Sequence, residues 1–212
     1  MTTENEIKVW DPLVRIFHWT LVVAFFTAYF TEDEWLDIHV LAGYTVAGLI
    51  AFRLVWGFVG TKHARFSDFV FSPLTTLNYL KDLFALRAKR YIGHNPAGGA
   101  MVITLLLALA GTTLTGMKLY AVEENAGPFA AVQIENVSPI SSAVADDDDD
   151  EYGEHGEGHG EGDEELWEEL HEFFANFTLL LVFLHVAGVV VSSFAHGENL
   201  SRAMMTGRKK RE

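Results

Sequence analysis

Four stretches of the chain are predominantly apolar over the roughly 17–25 residues that a helix needs to cross a hydrocarbon core. They are residues 13–30, 38–59, 98–121 and 170–193. The third is the cleanest, since "GGAMVITLLLALAGTTLTG" holds no charge, whereas the second carries Arg53. The pattern predicts four transmembrane helices packed as an all-α four-helix bundle, in a single membrane domain covering residues 1–212.

The polar intervals set an orientation. The link from the second to the third stretch holds Lys62, Arg65, Lys81, Arg87, Lys89 and Arg90, and the chain ends in "TGRKKRE". Positive charge stays on the cytoplasmic side, so both basic regions, and with them both termini, are expected there. The first link, "TEDEWLD", and the loop over residues 122–165 are acidic and belong on the opposite, periplasmic side. Within that loop, "VADDDDDEYGEHGEGHGEGDEELWEE" has almost no apolar content, and residues 146–163 are expected to be disordered. The resulting picture is a multi-pass protein of the bacterial inner membrane, with membrane lipid as a partner and no role for nucleic acid.

Composition sharpens this picture. Half the residues are hydrophobic although the net charge is −14, so grease and acid are segregated along the chain. The absence of cysteine excludes disulfides, thiolate catalysis, iron–sulfur clusters and haem attached through Cys-x-x-Cys-His. The N-terminal "MTTENEIKVWDPLVRIFHW" lacks the basic start and short apolar core of a removable signal peptide.

An ionisable side chain inside a membrane helix is costly and marks function by default. Four histidines qualify: His18, His39, His171 and His185. The last two are 14 residues apart, which places them on nearly one helix face, roughly 21 Å apart along the axis. With the orientation above, His39 and His171 share the outer depth, and His18 and His185 the inner one. Two bis-histidine sites at two depths suit a pair of b-type haems stacked across the membrane, with neutral imidazoles as axial ligands to iron. A proton relay is the competing use of the same residues.

Arg53 lies 14 residues after His39, on the same face near the inner boundary, where a guanidinium can pair with haem propionates or snorkel to lipid phosphates. Gly43, Gly48, Gly111, Gly116 and Gly188 permit close approach of a porphyrin or of a neighbouring helix. His63, His94 and His196 are expected in interfacial or surface roles, and His155 and His159 could at most hold a divalent cation weakly.

Five stretches taken together resemble the prokaryotic cytochrome b561 family, which includes the b-type membrane subunits of nickel–iron hydrogenases. They are "VWDPLVRIFHW", "HVLAGYTVAGLIAFRLVWGFVGTKHARFSDF", "YIGHNPAGGAMV", "FLHVAGVVV" and "HGENLSRAMMTGRKKR". The resemblance implies that His18, His39, His171 and His185 are the axial ligands of two haem b groups. It also implies electron transfer between a quinone pool and a partner redox protein. The long acidic insert departs from the family pattern.

A dense negative outer surface steers basic partners, such as a periplasmic c-type cytochrome, and repels small anions. The expected function is therefore transmembrane electron transfer linking quinone to a periplasmic cytochrome or a dehydrogenase subunit. A superoxide:quinone oxidoreductase, or the membrane anchor of a hydrogenase-like enzyme, is the alternative, and superoxide as an anion fits the acidic surface poorly. A non-redox protein that moves protons or senses a metal is the third reading, and a second copy of the chain is a further candidate partner. For the quinone, Arg15, Arg53, Trp10, Trp19 and Trp56 are candidate neighbours, although Trp at these depths more often anchors the interface.

Overall fold

The computed structural model describes residues 6–32, 34–130 and 158–211. The elements in chain order are β1 (Glu6–Lys8), α1 (Pro12–Phe30), α2 (Leu36–Val59), a turn of 3-10 helix (Lys62–Ala64), α3 (Phe66–Phe69), α4 (Pro73–Phe84), α5 (Pro96–Glu123), α6 (Gly158–His196), α7 (Leu200–Thr206) and β2 (Arg208–Lys210).

Helix starts follow from short polar residues set before proline. Asp11 accepts from the Val14 amide at 2.9 Å, Ser72 from Thr75 at 3.2 Å and Asn95 from Gly98 at 2.7 Å. In each case the next residue is a proline at the first helical position. The side chain satisfies an amide that the helix leaves unpaired, and proline gives up a donor that had no partner there.

Four helices are long and apolar enough to cross a membrane: Pro12–Phe30, Leu36–Val59, Pro96–Glu123 and, within α6, Gly162–His196. Only 17–22% of each apolar window is buried inside the molecule, and large side chains such as Val23, Leu41, Phe58, Leu107 and Phe183 face outward. In water such surface would drive aggregation; in hydrocarbon it is the solvated face.

α5 packs along α6, α1 against α2, and α2 against α5. Ala24 and Phe25 of α1, Val46 and Ile50 of α2 and Leu109 of α5 form the central core, closed by Leu179 and Val182 of α6. This layer lies midway along the bundle, between His39 and Arg53 on α2 and between His171 and His185 on α6.

Two features differ from the sequence expectation. The bundle is mostly helical rather than wholly so, because β1 and β2 pair antiparallel, Ile7 opposite Lys209. That pairing holds both termini at one end, as an even number of crossings requires. In addition, α6 begins at Gly158, so residues 158–163 are helical although expected to lack order. The run "EELWEELHEFF" is rich in helix formers and propagates the helix beyond the apolar span. The rest of the acidic stretch, residues 146–157, lies outside the described residues.

Candidate functional site

Four imidazoles project into the bundle as two facing pairs. At the acidic end the ring centroids of His39 and His171 are 6.0 Å apart, with planes at 82°. At the end that carries both termini, His18 and His185 are 6.4 Å apart, at 53°.

The acidic-end pair is held by backbone carbonyls. His39 Nδ1 donates to Ala28 O at 2.9 Å, and His171 Nδ1 donates to Thr112 O at 3.0 Å with Thr115 Oγ1 at 3.3 Å. A carbonyl only accepts, so each Nδ1 carries the proton and each Nε2 keeps its lone pair, the tautomer a metal ligand needs. Gly116 makes room for this ring, since a Cβ there would stand 2.7 Å from His171 Cε1.

Between these rings opens a cleft with about 910 Å³ of non-atom space, part of it open to the surroundings, lined by His39, His171, Gly43, Tyr44, Met117 and Tyr120 among others. Glu32 and Glu123 stand in its wall, and no Lys or Arg does among the described residues. A Cβ on Gly43 would meet nothing within 4 Å, and the same holds for Gly48 and Gly188. Gly111, by contrast, touches the Phe174 ring and serves the packing of α5 on α6.

The other pair has a different environment. His18 Nδ1 is buried and makes no hydrogen bond to a described residue. Arg53, only 3% exposed, lies over the rings of Phe66 and Phe69, with Cζ 5.1 and 5.6 Å from their centroids, and its Nη1 is likewise without a partner. Such contacts suit a guanidinium in apolar surroundings but leave its donors unused.

Several residues given peripheral roles by sequence reasoning turn out to build this end. His94 is half-buried rather than on the open surface: its ring sits 4.6 Å from both Trp10 and Phe69, with Nδ1 buried and without a hydrogen bond to a described residue. Burial, with the charges of Arg53, Lys209, His63 and His185, pushes its pKa down to about 3, so the ring is neutral at physiological pH. Trp56 also takes part in a bond within the protein: its Nε1 donates to Asp11 Oδ2 at 3.3 Å beside Thr61 Oγ1 at 2.5 Å. Burial works to raise the pKa of Asp11, but the bonds from Thr61, Val14 and Trp56 outweigh it and the carboxyl stays below its usual range. Arg15 is bonded to Met205 O at 2.5 Å, Trp19 stands edge-on to His18 and is 42% exposed, and His63 pairs with Asp68 at 2.8 Å. His196 donates to Ser192 O at 3.0 Å. His155 lies outside the described residues, and no cluster of three or more His, Cys, Asp or Glu side chains suited to a metal occurs among the described ones.

These pairs fit b-type haem. A metal about 2 Å from each of two opposed imidazole nitrogens places the ring centroids about 6 Å apart, as both pairs do. The family comparison agrees: the model for "Prokaryotic cytochrome b561" matches residues 9–207. The chain belongs to the prokaryotic cytochrome b561 family. Curated relatives of this cytochrome b561 protein include three named "Probable Ni/Fe-hydrogenase B-type cytochrome subunit". That of Rhodobacter capsulatus is 29% identical over 58% of the chain and 57% of the relative. That of Azotobacter vinelandii is 28% identical over 56% and 61%. That of Azotobacter chroococcum mcd 1 is 29% identical over 60% and 65%. The chain thus spans about three fifths of the length of the relatives it matches. No solved structure matches significantly. Membership makes this a membrane cytochrome of the b type.

Proposed function

We propose that the chain is a transmembrane electron conduit with two haem b groups, one held by His39 and His171 and the other by His18 and His185. The two facing imidazole pairs at two depths, 6.0 and 6.4 Å between centroids, carry this reading. Bound haem supplies a one-electron couple at each depth. The chain does the rest: carbonyls of Ala28 and Thr112 fix the acidic-end imidazoles, while Arg53 offers a cationic partner for propionates at the other end. The apolar layer of Phe25, Val46, Ile50 and Leu109 keeps water out of the space between.

The basic connection and tail support a cytoplasmic side for the termini, and on that reading the acidic end faces the periplasm of a bacterial inner membrane. The conduit links a quinone pool to a redox protein on the acidic side. The names of the relatives favour a hydrogenase catalytic subunit as that protein, whereas the negative outer surface equally suits a basic c-type cytochrome. A superoxide:quinone activity fits less well, because Glu32 and Glu123 stand at the cleft an anion would approach.

A reduced-minus-oxidised visible spectrum with a pyridine haemochrome assay on the purified chain tests this reading. Two haem b per chain is the expected result. One haem would remove one of the pairs, and none would return the four histidines to proton chemistry.

A further inference from the structure

At the end that carries the termini, two side chains on separate elements lack partners on the same wall. Arg53 Nη1 and His94 Nδ1 are both buried without a hydrogen bond to a described residue. Both rest on Phe69, which is 0% exposed: Arg53 Cζ is 5.6 Å and the His94 ring 4.6 Å from its centroid. Trp10 closes the far side of the imidazole at 4.6 Å, so the ring is clamped between two aromatics rather than free to turn toward water.

A buried donor left unpaired costs about 1–3 kcal/mol, and more when charged. No described carboxylate of this region makes a hydrogen bond to either of them. Asp11 accepts from Val14, Trp56 and Thr61, Asp68 pairs with His63, and Glu198 is shared by Arg90 and Lys209. No described residue supplies an acceptor to either donor, and a bound group is the natural source of one. Its chemistry follows from Arg53: a guanidinium 3% exposed feels the Asp11 charge but makes no bond to it, and a carboxylate accepts the charge-assisted bond that a neutral quinone oxygen offers only weakly. Its position follows from burial, which keeps a lipid phosphate at the surface from reaching it.

We infer that His94 acts with Arg53 as a two-donor clamp for a carboxylate of the cofactor held between His18 and His185, a propionate of the proposed haem. This rests on the haem reading above. The rings of Phe17, next to His18, and Phe52, next to Arg53, have centroids 6.3 Å apart, which sets the clamp on the His18 side of the bundle. An anionic neighbour selects the Nδ1–H tautomer of neutral His94, so the imidazole can donate without taking up a proton. Sequence reasoning missed His94 because a histidine in a basic loop carries no signal of burial.

Two substitutions separate donation from packing. His94→Phe keeps a ring between Trp10 and Phe69 but removes the donor; His94→Gln keeps an N–H but removes the ring. The readouts are haem content, spectroelectrochemical midpoints and the propionate bending bands in resonance Raman spectra of the purified holoprotein. With His94→Phe, both haems should remain while one midpoint falls, because an uncompensated propionate favours ferric iron. The fall should be on the order of a tenfold change in the ferric-to-ferrous ratio, about 59 mV for one electron. His94→Gln should recover most of it, and the same fall should appear in a His171→Ala background, where only the His18/His185 haem is left to titrate. Unmoved midpoints and propionate bands in His94→Phe, equal falls in both haems, or no recovery by His94→Gln would each overturn the clamp. Haem with unchanged midpoints defeats this inference alone; a chain without haem defeats the proposed function with it.

Discussion

The two histidine pairs repeat one motif in opposite surroundings. At the acidic end the protein satisfies its own polar atoms: Ala28 and Thr112 carbonyls take the Nδ1 protons, and the cleft wall carries carboxylates without a described Lys or Arg. At the other end His18 Nδ1, Arg53 Nη1 and His94 Nδ1 are all buried without a hydrogen bond to a described residue. On the proposed reading, the first site is organised before a cofactor arrives, whereas the second would be completed by one. Negative charge at one end and a guanidinium at the other should also hold the two couples apart, with the acidic-end couple at the lower potential.

Removing ligands is the largest test of this contrast. His39→Ala or His171→Ala should abolish the acidic-end haem and spare the other; His18→Ala or His185→Ala should do the reverse. Haem per chain should fall from two to one in each case, and equal loss of both from every variant would leave no pairing to compare. Next in size is Gly116→Val. A Cβ there stands 2.7 Å from His171 Cε1, and overpacking of this kind costs about 1–3 kcal/mol. The ring can yield only by leaving the Thr112 carbonyl, so acidic-end haem should be lost or converted to high spin, while the His18/His185 haem keeps its spectrum. A variant with normal spectra at both depths would mean that the outer site is less fixed than its hydrogen bonds indicate.

The terminal end has its own brace, remote from either pair. Glu198 accepts from Arg90 Nε at 2.9 Å and from Lys209 Nζ at 3.4 Å, tying the segment before α5 to β2. Burial works to raise the pKa of Glu198, yet Arg90 and Lys209 outweigh it and the net shift is downward. With the folded value below the unfolded 4.5, the stabilisation is fully present above pH 4.5 and is lost as the pH falls through the folded value. Glu198→Gln takes the carboxylate from the nearly buried Lys209 and the half-buried Arg90 and should cost about 1–3 kcal/mol. Thermal denaturation in detergent should show the loss at pH 7 and little difference from the unmutated chain well below pH 4.

Much of this architecture is legible in the sequence because bilayer length and helical rise are rigid rulers. They locate the four spans and indicate which histidines share a depth. They say nothing about side chains outside the hydrocarbon. His94 reads as a loop residue because its burial comes from Trp10 and Phe69, distant in sequence and brought together by the turn of α3 against α5. Trp56 reads as an interface anchor because its bond to Asp11 spans 45 residues. The β1–β2 pair is invisible for the same reason, as three-residue strands carry no periodicity. The early start of α6 is a different failure, in which composition suggested disorder while a long run of helix formers extended the span outward.

The smallest expected effect concerns the outside of the acidic end. Glu164, Glu165, Glu168 and Glu169 are exposed on the early turns of α6, before the apolar stretch that starts at Leu170 and within about two turns of His171. Changing all four to Gln should leave both haem spectra and midpoints nearly intact, since exposed charges act weakly at a distance in water. What should change is encounter: reduction or oxidation by a basic c-type cytochrome should slow several-fold at low ionic strength and converge with the unmutated rate above about 0.5 M salt, where the Debye length falls below about 5 Å. A stably docked hydrogenase subunit would respond differently, because electron transfer inside a fixed complex does not wait on diffusion; the substitutions would then alter complex lifetime rather than second-order rate. Stopped-flow mixing across a salt series separates these cases. A rate insensitive to both salt and substitution would mean that these exposed carboxylates neither steer nor hold a partner.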